Sequence, residues 1–411
     1  MSWKVGIVLL SVFTLTFGQN SPQAQDADGL PPYETPELQK QQCTPYSSSF
    51  NFQPPNFPEN WKVATTGTNT SAEFQQLYNS IDWSKIPNSP VRQKDAQGNI
   101  ATTGYSAEDP DCWWTYSTCT KPKHAGLAQD IIACPEPETL ALTYDDGPNC
   151  TDVGLYDFLK QNNQKATLFY IGSNVANWPL QAQRGHADGH QIAVHTWSHQ
   201  AMTTLSNQEV LAELYYTVKV IKMVTGVTPL YWRPPYGDID DRVRAIANHL
   251  NLTAVLWNLD TDDWNVKPFG AEPVPTIEQN FNNIIQKGKN GTFSQSGAMV
   301  LEHEINAATI ALAIKYYPQL KQAYKYVTPL TACMNITQPY VEKNYTFPNF
   351  LQYTNQSSAT SPSTSLPAGS SSQSKSAAAA AQSQHSVSSA GRFSAISSFG
   401  VAVTGLITAL I

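Results

Sequence analysis

Five short clusters of polar residues carry most of the chemistry this 411-residue chain could do. In chain order they are Thr143-Tyr144-Asp145-Asp146-Gly147-Pro148, His195-Thr196-Trp197-Ser198-His199, Arg233-Pro234-Pro235-Tyr236-Gly237, Asp260-Thr261-Asp262-Asp263-Trp264 and Leu301-Glu302-His303. Each alone has an ordinary reading. Asp-Asp-Gly-Pro is a common turn, a His pair at i, i+4 is a common helix face, and a lone His after a strand usually belongs to a core. Together their chemistry is coherent. One carboxylate and two imidazoles give three ligands to a divalent ion and leave positions open for water and substrate, as in a catalytic metal site. Of two adjacent carboxylates, one can bind the ion while the other stays free as a base. A nearby Arg can keep that base ionised, and a distant His can serve as the acid.

Such residues need elements to hold them. From Thr139 onward, short apolar runs alternate with helical patterns. Strands are expected at Thr139 to Tyr144, Ala166 to Ile171, Gln191 to Val194, Leu230 to Trp232, Thr253 to Asn258 and Ala298 to Leu301. Ser206-Asn207-Gln208-Glu209 is a capping box, followed by Val210, Leu214, Val218 and Ile221 and stopped by Gly226. This alternation implies a parallel sheet covered by helices. About seven such units could close into a distorted (β/α) barrel, and a doubly wound open sheet is the other arrangement that spacing allows. Every polar cluster follows an expected strand, and strand carboxyl ends are where parallel α/β folds keep their sites. Residues 20–130 are rich in Pro, Asn, Ser and Thr with weak periodicity, and read as an irregular extension over the sheet.

The composition narrows the function classes. A net charge of −7 argues against a general nucleic-acid binder. A hydrophobic content of 41% is enough for a core. Only 14% of residues are charged, and the two ends supply part of that deficit. Met1 to Gly18 reads as a secretory signal peptide, with Lys4 before an apolar run and small residues at Thr16 and Gly18. From about Ser357 to Ser398 the chain is Ser/Ala/Gln-rich, the composition of an O-glycosylated stalk. Small residues at Ser388, Ser389, Ala390 and Gly391 precede the apolar Phe399 to Ile411, the order found in a GPI-anchor signal. Attachment at Ser389 is the expectation, and a tail-anchored helix is the weaker rival. In this secretory context the six cysteines suggest three disulfides. Sequons stand at Asn69, Asn149, Asn251, Asn290, Asn335, Asn344 and Asn355.

The five clusters resemble the five motifs of the carbohydrate esterase family 4 polysaccharide deacetylases, the NodB-homology domain. The likeness spans roughly Cys134 to Cys333, with no departure at the functional positions. With the signal, stalk and anchor patterns, the whole chain is similar to the GPI-anchored fungal chitin deacetylases of that family, such as those of Cryptococcus. The resemblance implies a distorted (β/α) barrel and metal-dependent de-N-acetylation of chitin to chitosan and acetate in the cell wall. It assigns Asp146, His195 and His199 to one divalent ion, Zn or Co. Asp145 is the general base, Arg233 orients it, His303 is the general acid and Asp260 tunes His303. The Tyr236 backbone N–H would meet the oxyanion, and Trp264 and Leu301 would wall the acetyl pocket. By the same analogy Cys134 pairs with Cys333. Cys112 with Cys119 then reads as a local bridge, and Cys43 and Cys150 are left for each other.

Five segments are expected: 1–18 signal, 19–133 extension, 134–335 deacetylase domain, 336–390 stalk and 391–411 anchor propeptide. The partners this implies are chitin polymer or oligomers, wall glucan and chitin, and a GPI lipid in the outer face of the plasma membrane, with no nucleic acid. Trp113 and Trp114 are candidates for stacking on sugar rings, against a plainer role in packing. Two other readings stay open: a non-catalytic chitin-binding wall mannoprotein, and the same esterase chemistry on another acetylated polysaccharide.

Overall fold

The computed structural model describes residues 57–66 and 71–356. The expected signal, stalk and anchor segments, with Cys43, Asn69 and Ser389, lie outside them. Contacts divide the chain into a body, Met1–Phe350, and a second unit, Leu351–Ile411. Of the second unit only the rest of the helix Phe350–Gln356 is described.

Among the described residues the body is built on eight parallel strands: β1 Thr139–Gly147, β2 Thr167–Tyr170, β3 Gln191–Val194, β4 Tyr231–Trp232, β5 Thr253–Ala254, β6 Leu259–Asp260, β7 Ala298–His303 and β8 Tyr326–Thr328. Their order is β5-β4-β3-β2-β1-β7-β6, with β8 also paired to β1. The sheet curls as a distorted barrel, and no ladder joins its two end strands, β5 and β6, among the described residues. The expected strand Thr253 to Asn258 is therefore shorter than its apolar run suggested. Pairing with β4 ends at Ala254, and a new strand starts at Leu259 on the other side of the opening. At that edge the N-terminal extension adds a short pairing, with the Ile131 N–H donating to the Ala254 carbonyl and the Leu256 N–H donating to the Ile131 carbonyl.

Strand period accounts for the position of the site. Cys134, Ala141, Phe169, Ala193, Val255, Met299, Leu330 and Cys333 form one buried cluster inside the curl. Successive inward residues lie two apart along a strand. Ala141 is thus followed on that face by Thr143 and Asp145, Ala193 by His195, and Met299 by Leu301 and His303. The outward face packs under helices, and Tyr144 is 1% exposed there. Its longest cover is Asn207–Thr225, which starts on the Ser206/Glu209 capping box and ends at Gly226 with φ 82°.

Disulfides join Cys134 to Cys333 and Cys112 to Cys119. The first ties the segment entering β1 to the short helix Leu330–Cys333 after β8, 199 residues away. The Cys43–Cys150 pairing involves a residue outside the described range.

One boundary needs correction. The stalk is expected from residue 336, yet residues 336–350 belong to the body. Tyr340 is fully buried, its hydroxyl accepts from the Ile192 N–H at 2.9 Å, and the Leu230 N–H donates to the Pro339 carbonyl. Their Asn and Thr content hid an aromatic cluster of Tyr340, Tyr345 and Phe347 that gives the segment something to bury. The described part of the extension, 57–66 and 71–133, is mostly irregular, as expected. Its helix Ala72–Ser80, capped by Ser71, lies on Asn207–Thr225 through Phe74, whose ring stacks on Tyr216.

Candidate active site

Two consecutive carboxylates reach one site because β1 bulges. Asp145 pairs with Phe169 and Gly147 with Tyr170, so Asp146 is skipped in the register. Without a bulge, neighbours on a strand point to opposite faces. At φ 73° Asp146 takes a left-handed conformation that turns it back toward the inward side.

Its partners come from the loop after β3. The Nε2 atoms of His195 and His199 each lie 3.2 Å from Asp146 Oδ1. The three ligand atoms fall within 4.8 Å of one another. His195 Nδ1 sits 2.8 Å from the Arg233 carbonyl oxygen. A carbonyl only accepts, so Nδ1 carries the proton and Nε2 presents a lone pair. Asp146 Oδ1 is buried with no hydrogen-bond donor. An imidazole lone pair thus converges with an anionic oxygen in a buried space, an arrangement that a cation resolves. The residues fit a divalent ion with mixed N and O ligands.

The loop that carries both histidines is held from beneath. Glu213, wholly buried on Asn207–Thr225, accepts from the Trp197 N–H, the Ser198 N–H, the Ser198 hydroxyl and the Ala64 N–H. Burial pushes its carboxyl up from the ordinary range, and these four donors oppose that rise. Sequence reasoning missed Glu213. The signal was present, since it lies between Val210 and Leu214 on the stripe that faces the barrel.

Asp145 stands beside the triad. Its Oδ2 is 3.7 Å from His195 Nε2, and its Oδ1 accepts from Arg233 Nη1 at 2.8 Å. Arg233 is fully buried, so its charge needs partners. It donates also to Thr143 Oγ1 and to the carbonyls of Val255 and Leu256, and its guanidinium lies 4.2 Å from the Phe169 ring centroid. One residue thereby holds Asp145 with its side chain and His195 with its backbone.

Tyr236 follows β4 in a left-handed conformation, φ 60° and ψ 10°, a strained state for a side-chain-bearing residue. The residue is 64% exposed, and its ring meets His199 edge to face at 4.8 Å. Asp238 fixes this loop, accepting from Trp113 Nε1, the Thr115 hydroxyl, and the Thr203 N–H and hydroxyl. Asp238 was not foreseen either, because Gly-Asp after a Pro-Pro pair reads simply as a turn.

The carboxylate that holds His303 differs from the expected Asp260. His303 Nδ1 lies 2.6 Å from Asp263 Oδ1, and the His303 N–H donates to Asp263 Oδ2 at 2.9 Å. Asp260 instead accepts from Trp257 Nε1 at 3.0 Å and from the Asp262 N–H at 2.9 Å. The reason is the turn Asp263–Asn265, entered through Asp262 at φ 53°, which swings Asp263 inward after β6 has ended. Burial opposes a charged imidazole, but the Asp263 carboxylate outweighs it and lifts His303 to about 9. Leu301 is buried on the inward face of β7, and Trp264 is half exposed.

Of the sequons, Asn251, Asn290, Asn335 and Asn344 are exposed. Asn149 differs. Its amide nitrogen donates to the Glu304 and Ile305 carbonyls, which occupies both hydrogens and disfavours a glycan there. The side chain of Asn355 is not among those described.

Against known proteins, residues 133–255 match the family model described as polysaccharide deacetylase. A chitin deacetylase of Amylomyces rouxii is 56% identical over 326 residues, covering 78% of this chain and 76% of that protein. Chitin deacetylase 2 of Cryptococcus neoformans var. grubii is 48% identical over 328 residues, covering 78% of this chain and 71% of that one. Among solved structures, the chitin deacetylase of Colletotrichum lindemuthianum is similar at 27% identity, covering 53% of this chain and 96% of that one with a TM-score of 0.47.

Proposed function

We propose that this chain, which belongs to the polysaccharide deacetylase family, removes acetyl groups from the N-acetylglucosamine units of chitin, leaving chitosan and acetate. The observation that carries the proposal is Asp145, held by buried Arg233 beside an Asp–His–His triad, in a chain 56% identical to a chitin deacetylase. Amide hydrolysis needs an activated nucleophile, a stabilised oxyanion and a protonated leaving group. When bound by Asp146, His195 and His199, a divalent ion would polarise the acetamide carbonyl and acidify water. Zn²⁺ suits that ligand set and Co²⁺ fits the same donors, so metal analysis of the untagged protein reads its identity.

The chain's own residues do the rest. Asp145 takes the proton of the attacking water while Arg233 keeps the carboxylate ionised and aimed. As the carbonyl carbon becomes tetrahedral, the Tyr236 backbone N–H donates to its oxyanion. His303, held by Asp263, gives a proton to the amide nitrogen as the carbon–nitrogen bond breaks. Acetate and the free amine then leave. Leu301 and Trp264 border the acetyl methyl, which excludes larger acyl groups.

The test is acetate release from chitin oligomers, acetylated xylan and peptidoglycan fragments side by side. Chitin oligomers are expected to react at least about tenfold faster than the others, a margin of roughly 1.4 kcal/mol in transition-state binding. Faster release from xylan would redirect the chemistry to an ester.

The sequence patterns at both ends support a secreted protein, GPI-anchored near Ser389 on the outer face of the plasma membrane, with wall chitin and glucan within reach. Phosphatidylinositol-specific phospholipase C is expected to release it from a membrane fraction. Retention in that fraction would overturn the anchor.

A further inference from the structure

The adjacent tryptophans of the extension have different surroundings. Trp113 is fully buried, with the Arg92 guanidinium 4.5 Å from its ring centroid and its Nε1 donating to Asp238. It packs. Trp114 is only partly buried and lies against the loop that carries Tyr236. A Cβ placed on Gly237 would come within 2.3 Å of Trp114 Nε1 and 2.6 Å of its Cδ1, so the indole rests directly on that glycine. Its other neighbour is Trp257, with ring centroids 5.7 Å apart at 58°. Trp257 is itself tied to Asp260.

The indole is also held in place. The Cys112–Cys119 disulfide closes the loop around the short helix Trp114–Ser117 that carries it. Buried Arg244 donates to the carbonyls of Cys112 and Cys119 at 2.6 and 2.9 Å, and the Trp114 N–H donates to the Ile239 carbonyl. A side chain fixed this way loses little freedom when something lies on it. Pyranose rings carry an apolar C–H face that suits an aromatic surface edged by polar groups. With Gly237 directly following Tyr236, the indole is next to the reacting position and not within it.

We propose that Trp114 is a specificity-determining residue that stacks on a sugar unit neighbouring the one that loses its acetyl group, so that longer chains bind better. This rests on the deacetylase reading above.

Full-length wild type, Trp114→Ala and Trp114→Phe are assayed on N-acetylglucosamine and chitohexaose. For Trp114→Ala, KM on the hexamer is expected to rise about three- to tenfold with kcat kept, and by less than about twofold on the monomer. Trp114→Phe is expected to recover most of the loss. An equal effect on both lengths, or a fall in kcat, would mean that the indole only props the Tyr236 loop, and would overturn the proposal. No effect on either substrate would overturn it too. Calorimetric binding of chitohexaose to Asp145→Asn, with and without Trp114→Ala, reads stacking apart from turnover. Absent acetate release from wild type would sink the deacetylase reading alone. Unweakened binding in the double variant would sink the stacking role whatever the activity.

Discussion

Asp145→Asn is expected to lower kcat for acetate release by about 10³-fold, within the usual range for loss of a general base. The replacement keeps the shape and removes the charge. Asn can still accept from Arg233 Nη1 through its amide oxygen, so the 2.8 Å contact has a substitute. The guanidinium keeps Thr143 and two backbone carbonyls as partners. Its charge then lacks a counter-ion in a fully buried place, which costs stability. The two effects are separable. A thermal melt reads the structural cost, and kcat below the melting range reads the chemistry. Metal content is the third readout. Asp145 is outside the triad, so the variant is expected to hold its ion as wild type does. Wild-type acetate release from Asp145→Asn would remove the base assignment. Lost metal with lost activity would make Asp145 a ligand.

The inward position of Asp145 was readable from sequence because a strand register stands behind it, while its role as base came from resemblance. Ala141, Thr143 and Asp145 alternate on one face, as do Met299, Leu301 and His303. Any reader who places the strands places these groups. Asp146 next door was less legible. Asp146 reaches the same side through a bulge and a left-handed residue, and nothing in Asp-Asp-Gly-Pro distinguishes that from a plain turn. Its role came from resemblance.

Supporting groups were harder still. Glu213 and Asp238 organise the two loops, yet their partners are backbone N–H groups far away in the chain. Hydropathy patterns do not encode such bonds. The extension was legible only as irregular, although its disulfide-closed loop seats Trp114 over Gly237. Among the acidic residues after β6, spacing could not choose. Asp260, Asp262 and Asp263 fall within four positions, and a single turn decides which one faces His303.

That choice has a measurable consequence. His303→Gln is expected to reduce kcat by about 10²- to 10³-fold, because the leaving nitrogen loses its proton donor. Asp263→Asn separates the donor from the group that holds it. In the folded protein His303 is lifted from 6.5 to about 9 against the effect of burial, with Asp263 the main reason. The acid form therefore persists through neutral pH, and activity is expected to fall as pH rises through about 9. With that carboxylate neutralised, only the charges of Asp146 and Asp145 still oppose burial, so this alkaline limb moves to lower pH. Loss of the oriented hydrogen bond adds roughly 10- to 100-fold in kcat. Asp260→Asn should leave the limb near its wild-type position, since Asp260 holds Trp257. Stability carries the same signature. A folded-state pKa above the unfolded one stabilises fully below pH 6.5, and that contribution disappears as pH rises through about 9. The advantage of wild type over His303→Gln in denaturant melts should shrink over that window. A limb displaced by Asp260→Asn and unmoved by Asp263→Asn would return the role to Asp260, against the 2.6 Å contact.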